Sequence, residues 1–599
     1  MNFLSGLSKL VDRIIETDVL IVGSEGAGST AAIEAAKQGV KVTIATKGRL
    51  GKCGATVTGD ADLNVDSKSL SELFPWLSGT DPRDSKEKFF EDIVKGGKYL
   101  NNQKLVEIHV KEAPERLKDL VDWGVKIEWV MHSSGHTYPR GVFIPGTRLM
   151  PVLKKKVKES GVEVIEDTMI TDLLTKGKRV IGAVGINLKT GEFLLFKAKA
   201  VVLATGGCMR IYPFTTAPEE LTGDGVAMAY RAGAELIDME FPMFLPGCFV
   251  WPPALQGVDV PFVLSTAGRY GPGWLLNRYG ERFMAKWAPE TMEHSTRDIC
   301  SVAMMTEILE GRGSKRGGVY VSLKHLPDNL IDFIHEWQAP EMLWRYGGFN
   351  LDDFIPRDTL KKEALEAAPA CHFMNGGIRI NERCETNLQG LYAAGETTGG
   401  VHGGNRLSGN AFTEMIVWGT RAGRFAANYA KKVKAFPEVD EEQLKSLRNR
   451  VFLPLERNEG IDPIELKNKV QKLAWEKVGV IRNGPTLEEA IKEIERMKKE
   501  ELPKLYTKSK DRIYNREWIE AIQLENMLQV LEIIARAALM RKESRAAHYR
   551  KDYPYTDYKN WTKNIVVSQV AGKMRLTLKP VVITKLKPPK KKVPYGIVE

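Results

Sequence analysis

Close to its start the chain carries a glycine-rich segment between two apolar stretches, and this feature constrains the fold more than any other. Asp18–Val22 is apolar after its first residue, as expected for a strand buried on both faces of a parallel sheet. Gly23–Gly28 leads into a helix of small residues, and Val40–Ala45 returns as a second strand. The pattern predicts a βαβ unit, in which Gly23 permits the tight turn and Gly28 allows the helix and strand to pack closely.

Two positions depart from the usual dinucleotide-binding pattern. The middle glycine is replaced by Glu25, with Gly26 one position later. The acidic residue that usually ends the second strand and binds a ribose is replaced by Thr46 and Lys47. The strand–turn–helix context still predicts a dinucleotide site, because the helix N-terminus offers free N–H groups to a pyrophosphate.

Three later segments favour FAD over NAD. A strand ends at Ala204–Gly207, where glycines allow the backbone to approach a nucleotide closely. Thr222–Gly225 begins a helix, with Asp224 placed to accept hydrogen bonds from ribityl or ribose hydroxyls. Leu391–Glu396 is another strand, and it ends in a carboxylate.

Residues 400–410 read Gly-Val-His-Gly-Gly-Asn-Arg-Leu-Ser-Gly-Asn. With the segments above, they resemble the flavoprotein subunit of succinate dehydrogenase and fumarate reductase, a family that also holds L-aspartate oxidase and adenylylsulfate reductase. The resemblance runs from about Asp18 to about Pro554. The FAD-binding residues that it implies are Gly23, Gly26, Ala27, Gly28, Thr46, Lys47, Gly54, Ala55, Thr56, Ala204, Thr205, Gly206, Asp224, Glu396 and Asn410.

The resemblance implies an α/β fold with a Rossmann-like FAD-binding domain, an inserted capping domain and a C-terminal helical domain. The expected divisions are residues 1–235 and 357–430 for the FAD-binding domain, 236–356 for the capping domain, 431–550 for the helical domain and 551–599 for a hairpin and basic tail. Apolar residues at a 3.6-residue spacing predict the helices Glu441–Asn458, Asp462–Glu476, Thr486–Glu500 and Trp518–Met540. Ile565–Val567 and Met574–Leu578 are predicted to form the hairpin.

In respiratory members of the family, a histidine soon after the second strand carries FAD covalently. Gly48–Asp66 contains no histidine, and Gly54 or Ala55 occupies the corresponding place. We therefore expect FAD to be bound without a covalent bond to a histidine.

The resemblance also implies the reacting groups. Arg297 of an Arg-Asp pair matches the arginine to which the family's proton transfer is assigned. Arginine scarcely deprotonates in proteins, but its guanidinium group would stabilise a developing enolate in any case. His372 and Arg406 match the groups that bind the substrate carboxylate. Tyr270 stands where the family has a proton-relay arginine, which makes it the fourth catalytic candidate.

Two further positions depart from the dicarboxylate enzymes. Leu245 replaces a carboxylate-binding histidine, and Ala267 replaces the glutamate of the proton relay. One end of the substrate pocket keeps its anion-binding groups, whereas the other is apolar. This disfavours succinate and fumarate, and it favours a substrate with one carboxylate or thioester and a bulkier apolar remainder.

The favoured function is therefore FAD-dependent oxidoreduction of a C–C bond beside a carboxylate or thioester carbonyl. Three alternatives remain at this point. The chain could be a fumarate reductase or succinate dehydrogenase proper, an enzyme of the L-aspartate oxidase type, or an electron-transfer subunit with a degenerate substrate site. The apolar Leu245 and the loss of the glutamate at Ala267 count against amine oxidation. The joint retention of Arg297, His372 and Arg406 counts against complete degeneration.

The cysteines bear on metal binding. Six of them are scattered along the 599 residues without a CxxC pair. This spacing argues against a disulfide framework, an iron–sulfur cluster or a zinc ribbon within the chain, so we predict no metal site here. A reduced flavin needs an electron partner, and we expect that partner to be an iron–sulfur subunit.

The charge pattern bears on location and further partners. The net charge is +11, and part of it lies in a basic tail, Lys585–Lys592, that we expect to be solvated and to lie on a partner subunit. No nucleic-acid module accompanies the charge, so nucleic acid is not expected as a partner. No apolar run reaches about 18–20 residues, which predicts a cytoplasmic protein that meets a membrane only through partner subunits. The first 17 residues are predicted to be a short amphipathic helix or lead-in to a strand at Asp18.

Overall fold

The structure is a computed structural model that describes residues 7–59, 62–133, 135–259, 273–333, 335–336 and 351–596. Its strands are β1 (Arg13–Val22), β2 (Val42–Ala45), β3 (Asp62–Asn64), β4 (Val130–Met131), β5 (Gly141–Phe143), β6 (Glu163–Ile165), β7 (Thr168–Lys176), β8 (Arg179–Asn187), β9 (Phe193–Leu203), β10 (Leu236–Ile237), β11 (Pro242–Phe249), β12 (Trp274–Leu276), β13 (Val319–Ser322), β14 (Leu365–Met374), β15 (Gly377–Arg379), β16 (Leu391–Ala393), β17 (Thr398–Gly399), β18 (Ile481–Arg482), β19 (Tyr549–Arg550), β20 (Tyr555–Asp557), β21 (Lys563–Val570), β22 (Lys573–Pro580) and β23 (Lys592–Pro594).

Its α-helices are α1 (Gly26–Lys37), α2 (Ser67–Leu73), α3 (Lys86–Gly96), α4 (Gln103–Asp122), α5 (Gly146–Glu159), α6 (Asp224–Arg231), α7 (Met284–Trp287), α8 (Arg297–Leu309), α9 (Arg357–Lys362), α10 (Asn410–Ala430), α11 (Glu441–Glu456), α12 (Pro463–Val478), α13 (Gly484–Arg496), α14 (Arg516–Met540) and α15 (Tyr558–Trp561). Within the described ranges, none of these helices combines the length and the apolar composition that a membrane span requires.

The central sheet has seven strands in the order β6-β2-β1-β9-β8-β7, with β16 beside β9. Strands β6, β2, β1, β9 and β16 are parallel neighbours, whereas β8 and β7 add antiparallel pairs. Strand β1 begins at Arg13, so the prediction that the strand starts at Asp18 is wrong. The reason is that residues 13–17 pair in parallel with residues 194–198 of β9, a long-range contact that the local pattern does not reveal.

Helix α1 follows β1 through the glycine-rich turn and packs against α10. A Cβ atom at Gly423 would lie 2.1 Å from the carbonyl oxygen of Ala31, so the two helices touch at backbone distance. A Cβ atom at Gly26 would lie 2.0 Å from the sulfur of Met415. The N-terminal half of α10, which follows the glycine-rich segment 400–409, is therefore held beside the turn.

A separate sheet of four strands in the order β11-β14-β13-β12 combines three strands of the predicted capping region with β14, which belongs to the segment predicted as FAD-binding. Its pairs are antiparallel, and α8 packs on β11, where Ser301 Oγ donates to the carbonyl of Phe244 at 3.0 Å. The region also has its own apolar core, which includes Phe249, Phe283 and Met304. Helix α8 thereby brings its first residue, Arg297, to the edge of this sheet.

The four C-terminal helices lie where the apolar spacing predicts them, with ends that differ by a few residues. Their starts are set by side chains of Asp440, Asp462, Asn483 and Asn515, each of which accepts a hydrogen bond from a first-turn N–H group. The predicted hairpin is longer than expected, because β21 and β22 pair over their whole eight-residue lengths. Strand β21 also pairs with β10, which ties the hairpin to the rest of the fold.

The basic tail is held to this chain by backbone contacts, while the side chains of Lys585, Lys587 and Lys590–Lys592 stay exposed, as predicted. Its contact with a partner subunit stays a prediction. Strand β23 pairs with β20, and Gln103 Oε1 accepts hydrogen bonds from the N–H groups of residues 584–586 at 2.9–3.0 Å. The hydroxyl of Tyr595 lies 2.9 Å from the carbonyl oxygen of Ala546 and 3.3 Å from Asp298 Oδ2. The tail therefore reaches the first turn of α8, next to Arg297.

A buried ion network joins the capping region to the C-terminal part. Arg541 Nε lies 2.7 Å from Glu240 Oε1, and Arg541 Nη1 lies 2.9 Å from Glu543 Oε1. Arg545 Nε lies 2.8 Å from the same Glu543 oxygen. All four side chains are fully buried. Because each charge is desolvated, removal of one member leaves another uncompensated.

We expect Glu543→Ala to lower the free energy of unfolding by about 3–5 kcal/mol, because two buried guanidinium groups lose their shared carboxylate. Urea denaturation followed by circular dichroism measures the change. The control is Lys118→Ala, which breaks an exposed pair with Asp122 and should cost less than about 1 kcal/mol. Equal costs for the two variants would contradict a structural role for the network.

Candidate active site

A cavity opens where the carboxyl ends of β1, β2 and β9 meet. Ligands of open α/β sheets bind at this edge. Among the lining residues are Gly23, Glu25, Thr46, Lys47, Gly54, Ala204, Thr205 and Asp224, all but Glu25 predicted to bind FAD.

Glycine is required at three positions in and around this cavity. Gly23 has φ +103°, and a Cβ atom there would lie 2.2 Å from the carbonyl oxygen of Ala204. Gly206 has φ +71°, a conformation that other residues rarely adopt. A Cβ atom at Gly28 would lie 2.1 Å from the carbonyl oxygen of Gly23. The backbones of the two strand ends and of α1 thus approach one another closely, without side chains between them.

The polar wall of the cavity centres on Asp224, at the start of α6. Lys47 Nζ lies 2.5 Å from Asp224 Oδ2, and Asn526 Nδ2 donates to Asp224 Oδ1 at 2.7 Å. Thr46 Oγ1 lies 2.8 Å from Ser24 Oγ. Asn526 comes from α14, more than 300 residues along the chain from Asp224, and no local pattern indicates its part in the site.

A second group of predicted FAD residues lies between α10, β14 and the end of β16. Glu396 Oε1 accepts from the N–H group of Met374 at 3.0 Å, and burial raises the pKa of Glu396 to about 8. Thr205 Oγ1 lies 3.1 Å from Thr397 Oγ1. Asn410 Oδ1 accepts from Asn64 Nδ2 at 2.8 Å.

The residues present fit FAD. The glycines leave backbone approach free, and α1 directs its N-terminus at the cavity, as a pyrophosphate requires. Asn410 Nδ2 is buried and has no hydrogen-bond partner within the described residues, so the site retains a free donor. Burying a donor without a hydrogen-bond partner costs free energy, and a bound ligand that accepts a hydrogen bond from it would remove that cost.

The two arginines predicted to act on the substrate lie close to one loop; Arg406 is buried, and Arg297 is partly buried, with its Nη1 atom shielded from solvent. Arg297 Nη2 lies 3.3 Å from Ser408 Oγ. Arg406 Nη1 donates to the carbonyl of Leu407 at 3.2 Å, and its guanidinium carbon lies 4.5 Å from the ring centre of Phe373. Neither arginine has a carboxylate within 4 Å in the described part of the chain.

The electrostatics of this pair are unusual. Arg297 Nη1 and Arg406 Nε are buried without a hydrogen-bond partner among the described residues. Burial, and next the charge of Arg297, lowers the pKa of Arg406 to about 9. Burial also lowers the pKa of Arg297. Two desolvated cations with unused donors form a site suited to an anion.

His372 lies on β14, where its Nδ1 is 2.9 Å from Thr216 Oγ1. Two residues earlier on the same strand, Ala370 pairs with Leu245 of β11. Leu245 is buried in an apolar cluster with Phe214, Cys248, Ala368 and Ala370. The histidine thus follows an apolar cluster on the same strand.

Two carboxylates near the arginines carry no sequence signal. Asp62 is buried on β3, where it accepts a hydrogen bond from Ser133 Oγ at 2.6 Å. Burial raises the pKa of Asp62 to about 6, although the charges of Arg297 and Arg406 act to lower it. Burial also raises the pKa of Asp259 to about 6, against the attraction of Arg297. No motif marks either residue, so only the fold could reveal them. Tyr270 lies outside the described residues, and its role stays a prediction.

Known proteins resemble this chain over nearly its whole length. Residues 18–412 match a family model described as an FAD binding domain, and residues 467–594 match one described as fumarate reductase flavoprotein C-term. A fumarate reductase (CoM/CoB) subunit from Methanothermobacter marburgensis is 36% identical over 93% of this chain and 98% of that protein. The fumarate reductase flavoprotein subunit of Mycobacterium tuberculosis is 32% identical over 97% of this chain and 99% of that protein. A solved chain of E. coli quinol fumarate reductase superposes with a TM-score of 0.84 at 27% identity, covering 96% of this chain and 99% of that one.

The fold, the glycine-lined cavity and the two arginines define an FAD-dependent oxidoreductase that acts on a CH–CH bond. The chain belongs to the family of flavoprotein subunits of succinate dehydrogenase and fumarate reductase. The comparisons confirm the predicted family, the cofactor FAD and the α/β fold with FAD-binding, capping and C-terminal domains. The domain boundaries and the roles of individual site residues stay predictions.

Acid precipitation of the purified protein is expected to release its flavin intact, because residues 48–66 offer no histidine for attachment. Flavin absorbance in the supernatant and flavin fluorescence of the washed polypeptide measure the two fractions. Free FAD added after precipitation serves as the control for carry-over. Fluorescence that stays on the denatured polypeptide would show that another residue carries the flavin.

Proposed function

We propose that the enzyme transfers hydrogen across a C–C bond conjugated with a carboxylate or thioester carbonyl, with Arg297, His372 and Arg406 around that group. The observation that carries this proposal is the pair of buried guanidinium groups without a bonded carboxylate in the described residues. An uncompensated buried cation is strongly destabilising, and an anionic substrate would supply the missing counter-charge.

The chain's own residues have separate roles in this reaction. When bound, FAD supplies or accepts the hydride of the two-electron step. Arg406 binds the carboxylate, for which a guanidinium group is suited because it can donate two parallel hydrogen bonds. Arg297 stands at the N-terminus of α8, where its charge stabilises negative charge that develops on the substrate. The remaining proton passes between the neighbouring carbon and an acid near Arg297, a role for which Asp62 and Asp259 lie within electrostatic reach.

The other end of the substrate is expected to be apolar. Leu245 and its apolar cluster stand beside His372, and Ala267 replaces the family's relay glutamate, although residue 267 lies outside the described residues. A second carboxylate against this wall would lack a partner, at a cost of several kcal/mol. A monocarboxylate or thioester with an alkyl or aryl remainder fits this arrangement better.

Fumarate is the second candidate substrate, because the relatives from M. marburgensis and M. tuberculosis are named fumarate reductase subunits. The chain keeps Arg297, His372 and Arg406, which supports this candidate as well. It requires that a residue other than Leu245 bind the second carboxylate.

We further infer that the protein works as the flavoprotein component of a complex whose electron partner is an iron–sulfur subunit. The relatives are themselves named as subunits. The cysteines in this chain are unpaired, and five of the six are buried. A cytoplasmic location, with any membrane contact made through partner subunits, is part of the same proposal.

The test is an anaerobic dye assay that compares fumarate with crotonate and cinnamate. We expect the wild-type kcat/KM for an apolar enoate to exceed that for fumarate by about 10²-fold, which corresponds to roughly 3 kcal/mol of lost transition-state stabilisation. Leu245→His should narrow this gap, because the imidazole can bind a second carboxylate. Leu245→Met is the matched control and should keep the wild-type preference. A wild-type preference for fumarate would select the second candidate.

A further inference from the structure

The carboxyl group of Glu25 lies against Gly54, one of the two positions that correspond to the flavin-attaching histidine of covalent family members. A Cβ atom at Gly54 would lie 1.3 Å from Glu25 Oε1 and 1.9 Å from its carboxyl carbon. Gly54 also has φ +80°, which excludes most side chains there on its own. Glu25 and Gly54 are therefore complementary, since any larger residue at position 54 would have to displace the carboxyl group.

The same carboxyl group fixes the turn over residues 54–56 against the N-terminus of α1. Glu25 Oε2 accepts from the N–H group of Thr56 at 2.6 Å. In return, Thr56 Oγ1 accepts from the N–H group of Gly26 at 3.3 Å. These two contacts join the glycine-rich turn to the segment that carries the flavin in covalent members of the family.

The charge of Glu25 conflicts with its position. In a dinucleotide-binding turn the middle position is glycine, so that the backbone can approach the pyrophosphate. A carboxylate at that position would repel a diphosphate, whereas a neutral carboxyl group would not. Burial raises the pKa of Glu25 to about 7, so the neutral form is accessible near neutral pH.

The charged surroundings of Glu25 favour the neutral form. Glu220 and Glu396 act on it as nearby carboxylates, and Lys47 is already engaged with Asp224 across the cavity. The thiol of Cys53 is the other titratable group beside it. No cation forms an ion pair with Glu25 within the described residues.

We propose that Glu25 is an FAD-retaining residue that works in its protonated form: it holds the turn over residues 54–56 against α1, and FAD binding is accompanied by proton uptake at its carboxyl group. The proposal rests on FAD as the cofactor and is independent of the substrate.

The pH dependence follows from this linkage. The carboxyl group is neutral below pH 7 and ionised above it, and FAD binding favours the neutral form. The affinity for FAD is therefore full below pH 7 and falls as the pH rises. If only the neutral form binds FAD, the Kd increases about tenfold between pH 6 and pH 8.

The experiment measures free FAD after dilution and ultrafiltration of the holoenzyme at pH 6 and pH 8. Glu25→Gln keeps an acceptor for the N–H group of Thr56 but cannot ionise, so its Kd should stay near the wild-type value at pH 6 and be independent of pH. Glu25→Ala loses the turn contact and should bind FAD at least about tenfold more weakly at both pH values. Asp122→Asn, which neutralises an exposed carboxylate that does not line the cavity, is the control and should keep the tenfold pH effect.

A tenfold pH effect that persists in Glu25→Gln would overturn the proposal and assign the proton to another group, such as Glu396. A wild-type Kd in Glu25→Ala would also overturn it. If a variant fails to fold, calorimetry of FAD binding to the wild-type protein at pH 7 tests the proposal instead. The difference in binding enthalpy between two buffers of different ionisation enthalpy gives the number of protons taken up. We expect uptake of about half a proton per FAD, and no uptake would refute the proposal.

Discussion

Two buried guanidinium groups that the described residues leave without a bonded carboxylate are the constraint on which the site depends. Arg297 and Arg406 are desolvated, retain unused donors and repel one another. Such an arrangement costs several kcal/mol and persists only where the rest of the fold holds it. Asp259 and Asp62 attract Arg297, and Glu396, Glu414 and Asp62 attract Arg406, but none forms an ion pair within 4 Å in the described part of the chain, which leaves the donors available to a substrate anion.

The scaffold holds these groups through contacts between distant parts of the chain. Arg297 begins α8, which packs on β11, while Arg406 precedes α10, which packs on α1 beside the FAD cavity. The buried network around Arg541 joins the capping region to the C-terminal part. Tyr595 of the tail then contacts the first turn of α8. One continuous set of contacts therefore spans the cofactor and substrate ends of the site.

The sequence predicted what depends on local pattern. The glycine-rich turn, the strand ends and the amphipathic helices all have periodic or steric signatures, so their positions were right to within a few residues. The sequence did not show contacts between distant residues: the start of β1 is set by pairing with β9, and the backbone of the tail is held by Gln103 and β20. Asp62 and Asn526 were not predicted for the same reason, because no local motif distinguishes them from other polar residues.

The central claim is that Arg406 binds the substrate anion, and binding of a non-reacting carboxylate tests it most directly. Benzoate, which has no saturated CH–CH bond beside its carboxylate, would be titrated into the oxidised holoenzyme while the flavin absorbance is followed. We predict that Arg406→Gln keeps FAD but weakens benzoate binding by about 10- to 100-fold, because a charge-assisted hydrogen-bond pair is lost. The exposed Arg379→Gln is the control and should bind benzoate as the wild type does. Unchanged benzoate binding in Arg406→Gln would contradict the role of Arg406.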